Sequence, residues 1–189
     1  MSALHPTPLP SPETDRQFMQ RALRLARAAA ARGEVPVGAL VVRDRSVIGA
    51  ASNRVERTQD AAAHAELLAL RQAARRLSSW RLDSVTVYTT LEPCPMCAGA
   101  ILLARVGRVV YGADDPKKGA FRSVYDVLGN PAGNHHPVVS PGCEAESAGL
   151  VLQTFFQQLR SRSGWALPPR PERPPGGLTV AGDRQTGSA

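Results

Sequence analysis

Hydrophobic and polar positions near the start of the chain follow a helical spacing. From Thr14 to about Arg32, apolar residues recur every three or four positions, and arginines occupy the opposite face of the same segment. Thr14 and Gln17 match a capping box, in which a side chain at the helix start accepts a backbone N–H bond. We therefore expect a helix that begins at Thr14.

After this helix the spacing becomes that of β-strands. Residues 37–43 and 46–52 predict two strands joined by a tight turn at Asp44 and Arg45. Downstream, the pattern predicts strands at 84–89, 108–111 and 138–139, helices at 61–77 (capped by Asp60), 95–105 and 144–163, and a short helical turn near 124–128 within an irregular stretch. A hairpin followed by strands that alternate with helices predicts a mixed sheet with helices on its faces.

The two ends of the chain lack an apolar period. Residues 1–13 alternate proline with small residues, and residues 164–189 are rich in proline, glycine and arginine. We expect both ends to be disordered, which leaves 14–163 as one folded domain. The N-terminus lacks the basic-then-apolar order of a secretory signal. The longest near-apolar run, 98–104, is far shorter than the roughly 20 residues that cross a bilayer.

Composition narrows the class of protein. Apolar residues make up 43% of the chain and charged residues 21%, which is typical of a globular domain and excludes a collagen or a membrane protein. Three cysteines are too few for a disulfide framework and suit a reducing cytoplasm. The net charge of +7 favours a polyanionic partner such as RNA. Because 21 of the 23 basic residues are arginine, a bias that GC-rich codons alone produce, charge supports an RNA partner without establishing it.

Two short segments carry residues suited to chemistry, each where a loop enters a helix. The first contains His64 and Glu66, and the second contains Cys94 and Cys97. Cysteines three apart in the first turn of a helix place both sulfurs on one side of its N-terminus, where the dipole favours the thiolate that binds a metal. With a nitrogen from His64, two sulfurs form a soft site that selects zinc over magnesium or calcium.

The number of ligands distinguishes a catalytic from a structural zinc site. A structural site closes with four protein ligands, whereas a catalytic site keeps three and leaves the fourth position to water. Zinc lowers the pKa of that water from about 15.7 to about 7. Glu66 is a carboxylate close to this water and is not needed as a ligand, so we expect it to take a proton and return it. Neither Cys-x-x-Cys nor His-x-Glu is specific alone, but together they match the zinc nucleobase deaminases.

Longer stretches of sequence surround these motifs. They are Glu-Val-Pro-Val-Gly-Ala at 34–39, Asn53, Ala-His-Ala-Glu at 63–66, Leu-Glu-Pro-Cys at 91–94, Met-Cys-Ala-Gly-Ala at 96–100, Arg-Val-Val-Tyr-Gly at 108–112, Asp-Pro-Lys at 115–117 and Phe-Phe at 155–156. From about residue 15 to 162 the chain resembles the bacterial tRNA-specific adenosine deaminases of the cytidine deaminase-like superfamily. The zinc motif is shared with deaminases of other substrates. The flanking stretches at 34–39 and 115–117 narrow the resemblance to the tRNA-specific adenosine deaminases.

This resemblance implies a three-layer α/β/α cytidine deaminase-like fold with a central mixed five-stranded sheet. It implies a homodimer that contacts a tRNA anticodon stem-loop with both subunits, and hydrolysis of the wobble adenosine of an arginine tRNA to inosine. The implied site residues are zinc ligands His64, Cys94 and Cys97, the proton carrier Glu66, base contacts from Asn53 and the backbone N–H of Ala65, and pocket walls from Val35 and Leu91. Cys143 has no implied role and is interpreted as a buried or incidental thiol.

Asp115 and Lys117 follow the strand predicted at 108–111. A carboxylate beside a polyanion is unfavourable unless it meets a donor, and RNA offers the 2′-hydroxyl, which DNA lacks. We therefore hypothesise that Asp115 helps to discriminate RNA from DNA while Lys117 holds a phosphate. The alternative is that Asp115 only caps a turn before Pro116.

Other interpretations remain open at this stage. Val35 and Leu91 could equally be ordinary core residues, and Asn53 could be a turn-forming residue. The enzyme could instead be a guanine or other free-base or nucleotide deaminase. A zinc-stabilised RNA-binding module without catalysis is a further alternative, which Glu66 opposes because a structural site needs no such acid.

Overall fold

The computed structural model of the chain describes residues 11–129 and 133–163. Its elements in chain order are α1 (Pro12–Ala30), β1 (Gly38–Arg43), β2 (Ser46–Ser52), α2 (Val55–Thr58), α3 (Ala65–Leu77), β3 (Thr86–Leu91), α4 (Pro95–Leu103), β4 (Arg108–Ala113), β5 (Val138–Ser140) and α5 (Ala145–Ser163). The predicted disordered segments, 1–13 and 164–189, lie outside the described residues apart from 11–13. Of these three, Ser11 caps α1, and Pro12 and Glu13 belong to its first turn.

The strands form one sheet in the order β2-β1-β3-β4-β5. Strand β1 is antiparallel to both β2 and β3, whereas β3, β4 and β5 run parallel to one another. The turn between β1 and β2 has Asp44 and Arg45 at φ 48° and 62°, the left-handed conformation that a two-residue hairpin loop requires. The structure thus confirms the predicted mixed five-stranded sheet and its tight turn.

Helices cover both faces of this sheet. On one face, Phe18 and Leu23 of α1 and Ala148 of α5 pack with Tyr88 and Val110 of the strands. On the other face, a second buried cluster joins α3 and α4 to the alternate strand positions: Ala69, Leu70, Ala98 and Ile101 pack with Val41, Val87 and Val109. The predicted three-layer α/β/α arrangement is therefore confirmed. No described helix is long and apolar enough to cross a membrane.

A buried ion pair links α1 to the centre of the sheet. Arg108 donates to both carboxylate oxygens of Asp15, at 2.8 and 2.7 Å, and the Tyr88 hydroxyl donates to Asp15 Oδ1 at 2.8 Å. All three residues are buried. Because a buried charge needs a partner, this bidentate arrangement fixes α1 against β3 and β4.

Helix α1 begins earlier than its sequence pattern predicts. Ser11 is the N-cap, and its hydroxyl accepts the Thr14 N–H at 3.3 Å. Pro12 is the first helical residue, a position where its fixed φ and missing N–H cost nothing. Thr14 therefore lies inside the first turn, and the predicted capping box at Thr14 is wrong.

Two other local predictions differ from the structure. Asp60 accepts the Ala62 N–H at 2.8 Å and closes a turn, so the helix predicted from residue 61 begins only at Ala65. Residues 124–128 form bends and no helical turn, because the N–H groups of Val124 and Tyr125 both donate to the Gly119 carbonyl. Both segments are shaped by local hydrogen bonds of turns, which hydrophobic periodicity does not report.

The four-residue helix α2 is absent from the sequence-based prediction. Its N–H groups at Glu56 and Arg57 donate to the carboxylate of Glu34, at 3.1 and 2.9 Å. Glu34 is buried and comes from the segment before β1. A distant side chain, rather than a local pattern, therefore stabilises the N-terminus of this helix.

Candidate active site

The topology brings two helix N-termini to one edge of the sheet. Strands β2, β3 and β4 all run in the same direction, so their carboxyl ends lie at this edge. The chain that leaves β2 reaches His64, which immediately precedes α3, and the chain that leaves β3 reaches Cys94, which immediately precedes α4. Cys97 lies in the first turn of α4. The three predicted metal ligands therefore meet where both helix dipoles favour negative charge.

The ligand atoms of these residues form a compact cluster. Nδ1 of His64 lies 3.7 Å from Sγ of Cys94 and 3.5 Å from Sγ of Cys97, and all three ligand atoms lie within 4.8 Å of one another. Tetrahedral zinc, with bonds of about 2.1 Å to nitrogen and 2.3 Å to sulfur, holds such atoms about 3.6 Å apart. The side chains therefore fit a zinc ion, and Nδ1 is the His64 atom that faces the two sulfurs.

The two cysteines differ in their affinity for a proton. Hydrogen bonds from Cys97 and His64 lower the pKa of Cys94 to about 3, and the bond from Cys97 has the larger effect. The pKa of Cys97 is raised, first by its hydrogen bond with Cys94 and then by burial. Cys97 therefore keeps the proton that the pair shares. The hydrogen bond with Cys94 also raises the pKa of His64, against burial, which lowers it. A cation that binds here replaces these protons, as is usual for thiolate and imidazole sites.

Glu66 lies in the first turn of α3 and is buried. Burial raises the pKa of its carboxyl group. Its Oε2 atom is buried and has no hydrogen-bond partner in the part of the chain that the structure describes. Because buried polar atoms are normally paired, an unpaired carboxylate oxygen beside three metal-ligating side chains is suited to a reacting molecule.

Asn53 and Ala65 contact each other directly. The Ala65 N–H donates to Asn53 Oδ1 at 3.0 Å, and both residues are buried. The resemblance implied that the Ala65 N–H is offered to the base; in the structure this donor is instead used to orient the Asn53 amide. Asn53 is thereby held beside the start of α3, next to His64.

Val35 and Leu91 lie at the same edge of the core on the α3 and α4 side, where β1 begins and β3 ends. Both side chains are partly buried and pack against that cluster. Leu91 is the last residue of β3, and Val35 precedes β1. They therefore have apolar contacts on one side and remain partly accessible on the other, which is compatible with either a pocket wall or a core margin.

Asp115 and Lys117 lie in the loop after β4. Asp115 Oδ1 accepts the N–H groups of Lys117 and Lys118, at 2.8 and 3.1 Å, which is the turn that the alternative interpretation predicted. The Lys117 side chain is exposed. The charge of Lys118 is close enough to lower the pKa of His64, although the Cys94 hydrogen bond has the larger effect and raises it. This loop therefore borders the metal-ligand cluster.

Glu92 is a site-organising residue that sequence reasoning missed. It is buried, and it follows β3 two positions before Cys94. Its carboxylate accepts five hydrogen bonds from the loop: the N–H groups of Phe121, Arg122 and Ser123 on Oε1 at 3.0, 2.8 and 3.1 Å, and the Asp115 N–H at 3.1 Å with the Ser123 hydroxyl on Oε2. An acidic residue directly after a buried strand, between Leu91 and Pro93, is the sequence feature that could have indicated this role.

Comparison with known proteins identifies the family. The family model of MafB19-like deaminases matches residues 13–160. A tRNA-specific adenosine deaminase of Bacillus subtilis is 43% identical over 148 residues, which cover 78% of this chain and 92% of that protein.

Solved structures with the same fold include two informative neighbours. A structure from studies of A-to-I editing by tRNA:A34 deaminases at the wobble position of transfer RNA has a TM-score of 0.70 at 43% identity, and the match covers 72% of this chain and 99% of that one. Guanine deaminase from Nitrosomonas europaea has a TM-score of 0.64 at 26% identity, and the match covers 83% of this chain and 98% of that one. The chain belongs to the family of bacterial tRNA-specific adenosine deaminases, within the cytidine deaminase-like superfamily.

Proposed function

We propose that the protein hydrolyses the wobble adenosine, at position 34 of a tRNA anticodon, to inosine, with an arginine tRNA as its substrate. The observation that carries this proposal is the buried, unpaired Oε2 of Glu66 beside the cluster of His64, Cys94 and Cys97. Support also comes from the relatives named above, whose closer members act on tRNA. A net charge of +7 is favourable for an RNA substrate.

His64, Cys94 and Cys97 would hold one zinc ion per chain. Two sulfurs and one nitrogen at the observed separations suit tetrahedral zinc, and a three-residue set leaves room for a non-protein ligand. When bound, zinc supplies Lewis-acid activation of a water molecule near neutral pH. The protein's contribution is to hold the ligands at two helix N-termini, where their negative charge is stabilised.

Glu66 would carry the proton that the reaction moves. Deamination joins a water oxygen to C6 of adenine, breaks the C6–N bond and releases ammonia. Burial raises the pKa of Glu66, which favours its holding a proton: the carboxylate would take a proton from the attacking water, pass it to N1, and later protonate the departing amino group so that ammonia leaves. One carboxylate therefore serves in both steps.

The base would be held by the residues around this carboxylate. Asn53, oriented by the Ala65 N–H, would hydrogen-bond the base, and Val35 and Leu91 would form the walls of the pocket. Asp115 would meet a 2′-hydroxyl through the oxygen that does not cap its turn, and Lys117 would bind a phosphate. Because the target base must leave the stack, a single-stranded anticodon loop is a less costly substrate than a duplex.

A homodimer would form through the outer face of α3 and α4. Trp80, Met96 and Leu103 are 63, 39 and 77% exposed and border an open groove of about 550 Å³ along these helices. Gly99 lies on the same face, and a Cβ atom there would meet no other atom within 4 Å. A glycine inside a helix costs about 1 kcal/mol relative to alanine, and a close approach by a second chain would offset this cost.

We further propose that the protein is located in the cytoplasm. A tRNA substrate and a site built on reduced cysteines both favour this location.

Sequencing of total tRNA after incubation with the purified protein tests the proposed activity. Inosine is read as guanosine, so we expect adenosine-to-guanosine changes at the wobble position of an arginine tRNA and at no other position. Guanine and cytidine serve as competing substrates in parallel assays of ammonia release. Release of ammonia from guanine without any change in tRNA would overturn the proposal in favour of a free-base deaminase.

A further inference from the structure

We propose that Glu92 is a positioning residue for the RNA substrate. Its buried carboxylate holds the loop 114–123, here called the rim loop, as a fixed wall beside the metal-ligand cluster. The inference rests on the proposed function, because it concerns how tightly that substrate binds. Glu92 has no contact with the reacting atoms in this arrangement; it acts through the loop.

The rim loop is attached to the segment before Cys94 on both sides of Glu92. The Glu92 N–H donates to the Ala113 carbonyl at 2.8 Å, and the Ala120 N–H donates to the Pro93 carbonyl at 2.9 Å. Between these two backbone bonds, the carboxylate accepts four further backbone N–H groups of the loop. Buried backbone donors need acceptors, so a single side chain accounts for most of the polar groups that this loop turns inward.

Gly119 shows how closely the loop approaches the carboxylate. A Cβ atom at this position would overlap Glu92 Oε2 and would lie 2.7 Å from the Asp115 carbonyl oxygen. Gly119 has no positive φ, so the space beside Glu92, and not backbone strain, is what requires glycine. The loop is therefore shaped around the carboxylate.

The outer side of the rim loop is held by a second, exposed contact. Arg122 donates to both carboxylate oxygens of Asp114, at 2.9 and 3.0 Å, and its guanidinium lies 5.9 Å from the centre of the Tyr111 ring. Exposed ion pairs contribute little to stability, because water and salt screen them. The buried carboxylate is thus the stronger of the two attachments.

The consequence concerns Asp115 and Lys117. The Asp115 N–H is bound by Glu92, and the Asp115 side chain in turn caps the N–H of Lys117. Loss of the Glu92 carboxylate would release both residues from a fixed position, whereas His64, Cys94 and Cys97 are held by α3 and α4. Substrate binding should therefore weaken while the metal stays bound.

Glu92→Gln is the direct test. Glutamine keeps one oxygen for the three N–H groups on Oε1, but its NH2 group cannot accept the Asp115 N–H or the Ser123 hydroxyl. In the zinc-loaded full-length protein we expect KM for the anticodon stem-loop to rise about tenfold, with kcat within about twofold of the wild type and zinc content unchanged. An unchanged KM, or loss of zinc, would overturn the proposal.

A second variant disturbs the same contact from the loop side. Gly119→Ala places a methyl group against Glu92 Oε2 and should raise KM in the same way. Gly149→Ala is the matched control, because a Cβ atom at that helical position meets nothing within 4 Å and is far from the loop in sequence. If Gly119→Ala binds the stem-loop as tightly as Gly149→Ala does, the contact does not set substrate affinity.

Hydrogen exchange separates the positioning role from general destabilisation. In Glu92→Gln, the amides of Asp115, Phe121 and Arg122 should exchange faster, while those of β1 and β3 keep their wild-type protection. Ser123→Ala, which removes one donor only, gives a smaller effect of the same kind should Glu92→Gln fail to fold. If the wild type edits no tRNA, the proposed function fails, yet faster exchange of the loop still supports Glu92 as its anchor. Uniformly faster exchange across the sheet would overturn the inference.

Discussion

Glu66 illustrates, at the scale of a single residue, how stability and chemistry oppose each other. Its Oε2 atom is buried without a partner among the described residues, and such an atom costs roughly 1–3 kcal/mol. A protein selected only for stability would not keep an unpaired carboxylate oxygen there. The cost is consistent with a group that forms its last hydrogen bond only when a substrate is present.

Replacement of this carboxylate should separate metal binding from turnover. We expect Glu66→Ala to retain about one zinc ion per chain and to lose nearly all editing activity, because the carboxylate moves protons and binds no metal. Its thermal stability should stay close to that of the wild type, because removal of the unpaired buried oxygen offsets the cost of the cavity that alanine leaves. Atomic spectroscopy, an inosine assay and a melting curve measure these three quantities; loss of zinc together with activity would make Glu66 a ligand.

Replacement of a cysteine should have the opposite effect on zinc content from replacement of Glu66. Cys97→Ala should lose both zinc and thermal stability, because metal binding at a site of this kind is coupled to folding. Chelation of the wild-type protein should reproduce the same loss of stability. A Cys97→Ala protein that retains a full zinc ion and its wild-type melting temperature would contradict the assignment of the metal site.

Asp115 has two carboxylate oxygens and hence two possible roles. Asp115→Asn keeps the oxygen that caps Lys117 and Lys118 but removes the negative charge, so the turn should persist. We expect the rate on a single-stranded DNA version of the anticodon loop to rise relative to the rate on RNA. The ratio of initial rates at one fixed salt concentration measures this change; an unchanged ratio in a folded variant leaves Asp115 as a turn residue.

At the scale of elements, Tyr88 connects α1 to the sheet through Asp15. Tyr88→Phe removes one hydrogen bond from a carboxylate that Arg108 still holds with two, so the free energy of unfolding should fall by about 1 kcal/mol. Because this contact lies on the α1 face of the sheet, kcat and KM should not change. Urea denaturation measures the free energy of unfolding, and the editing assay measures kcat and KM. An altered kcat would show that α1 is coupled to the active site.

The Tyr88 hydroxyl also makes the stability of the folded protein depend on pH in the alkaline range. Burial, and then the hydrogen bond to Asp15, raise the pKa of Tyr88 above the usual value of about 10. A group whose pKa is higher in the folded state stabilises the protein below its unfolded pKa and loses that contribution as pH rises beyond it. Between pH 9 and 11 the wild type should therefore lose more stability than Tyr88→Phe.

Elements with a regular local pattern could be predicted from the sequence, and elements held by distant side chains could not. The short apolar segments of β1 and β2 and the helical spacing in α1 and α5 are local properties of the sequence, so those elements agree with prediction to within a few residues. Helix α2 depends on Glu34, more than 20 positions earlier in the chain, and the rim loop depends on Glu92 in the same way. Spacing and ligand chemistry indicated His64, Cys94 and Cys97, but no local pattern reveals that the Ala65 N–H is used by Asn53.

At the scale of the whole molecule, the exposed face of α3 and α4 determines the expected assembly. Leu103→Glu places a charge at a side chain that is 77% exposed, so the fold should remain intact while a dimer through this face dissociates. Light scattering after gel filtration should give a monomer, and editing should fall because the RNA then meets one subunit. Leu150→Glu, a change of the same kind at an exposed leucine of α5, is the control and should remain dimeric. A dimeric Leu103→Glu protein would refute this interface.

The hairpin turn at Asp44 and Arg45 lies at the end of the sheet opposite to the metal-ligand cluster. Strand β1 leaves the active edge at Gly38, whose N–H is bound by Thr90, and reaches the turn beside the start of β3. A fluorophore or an affinity tag attached there would project away from the edge at which we propose that RNA binds. The chain therefore offers a place for surface immobilisation or single-molecule labelling at which substrate access is undisturbed.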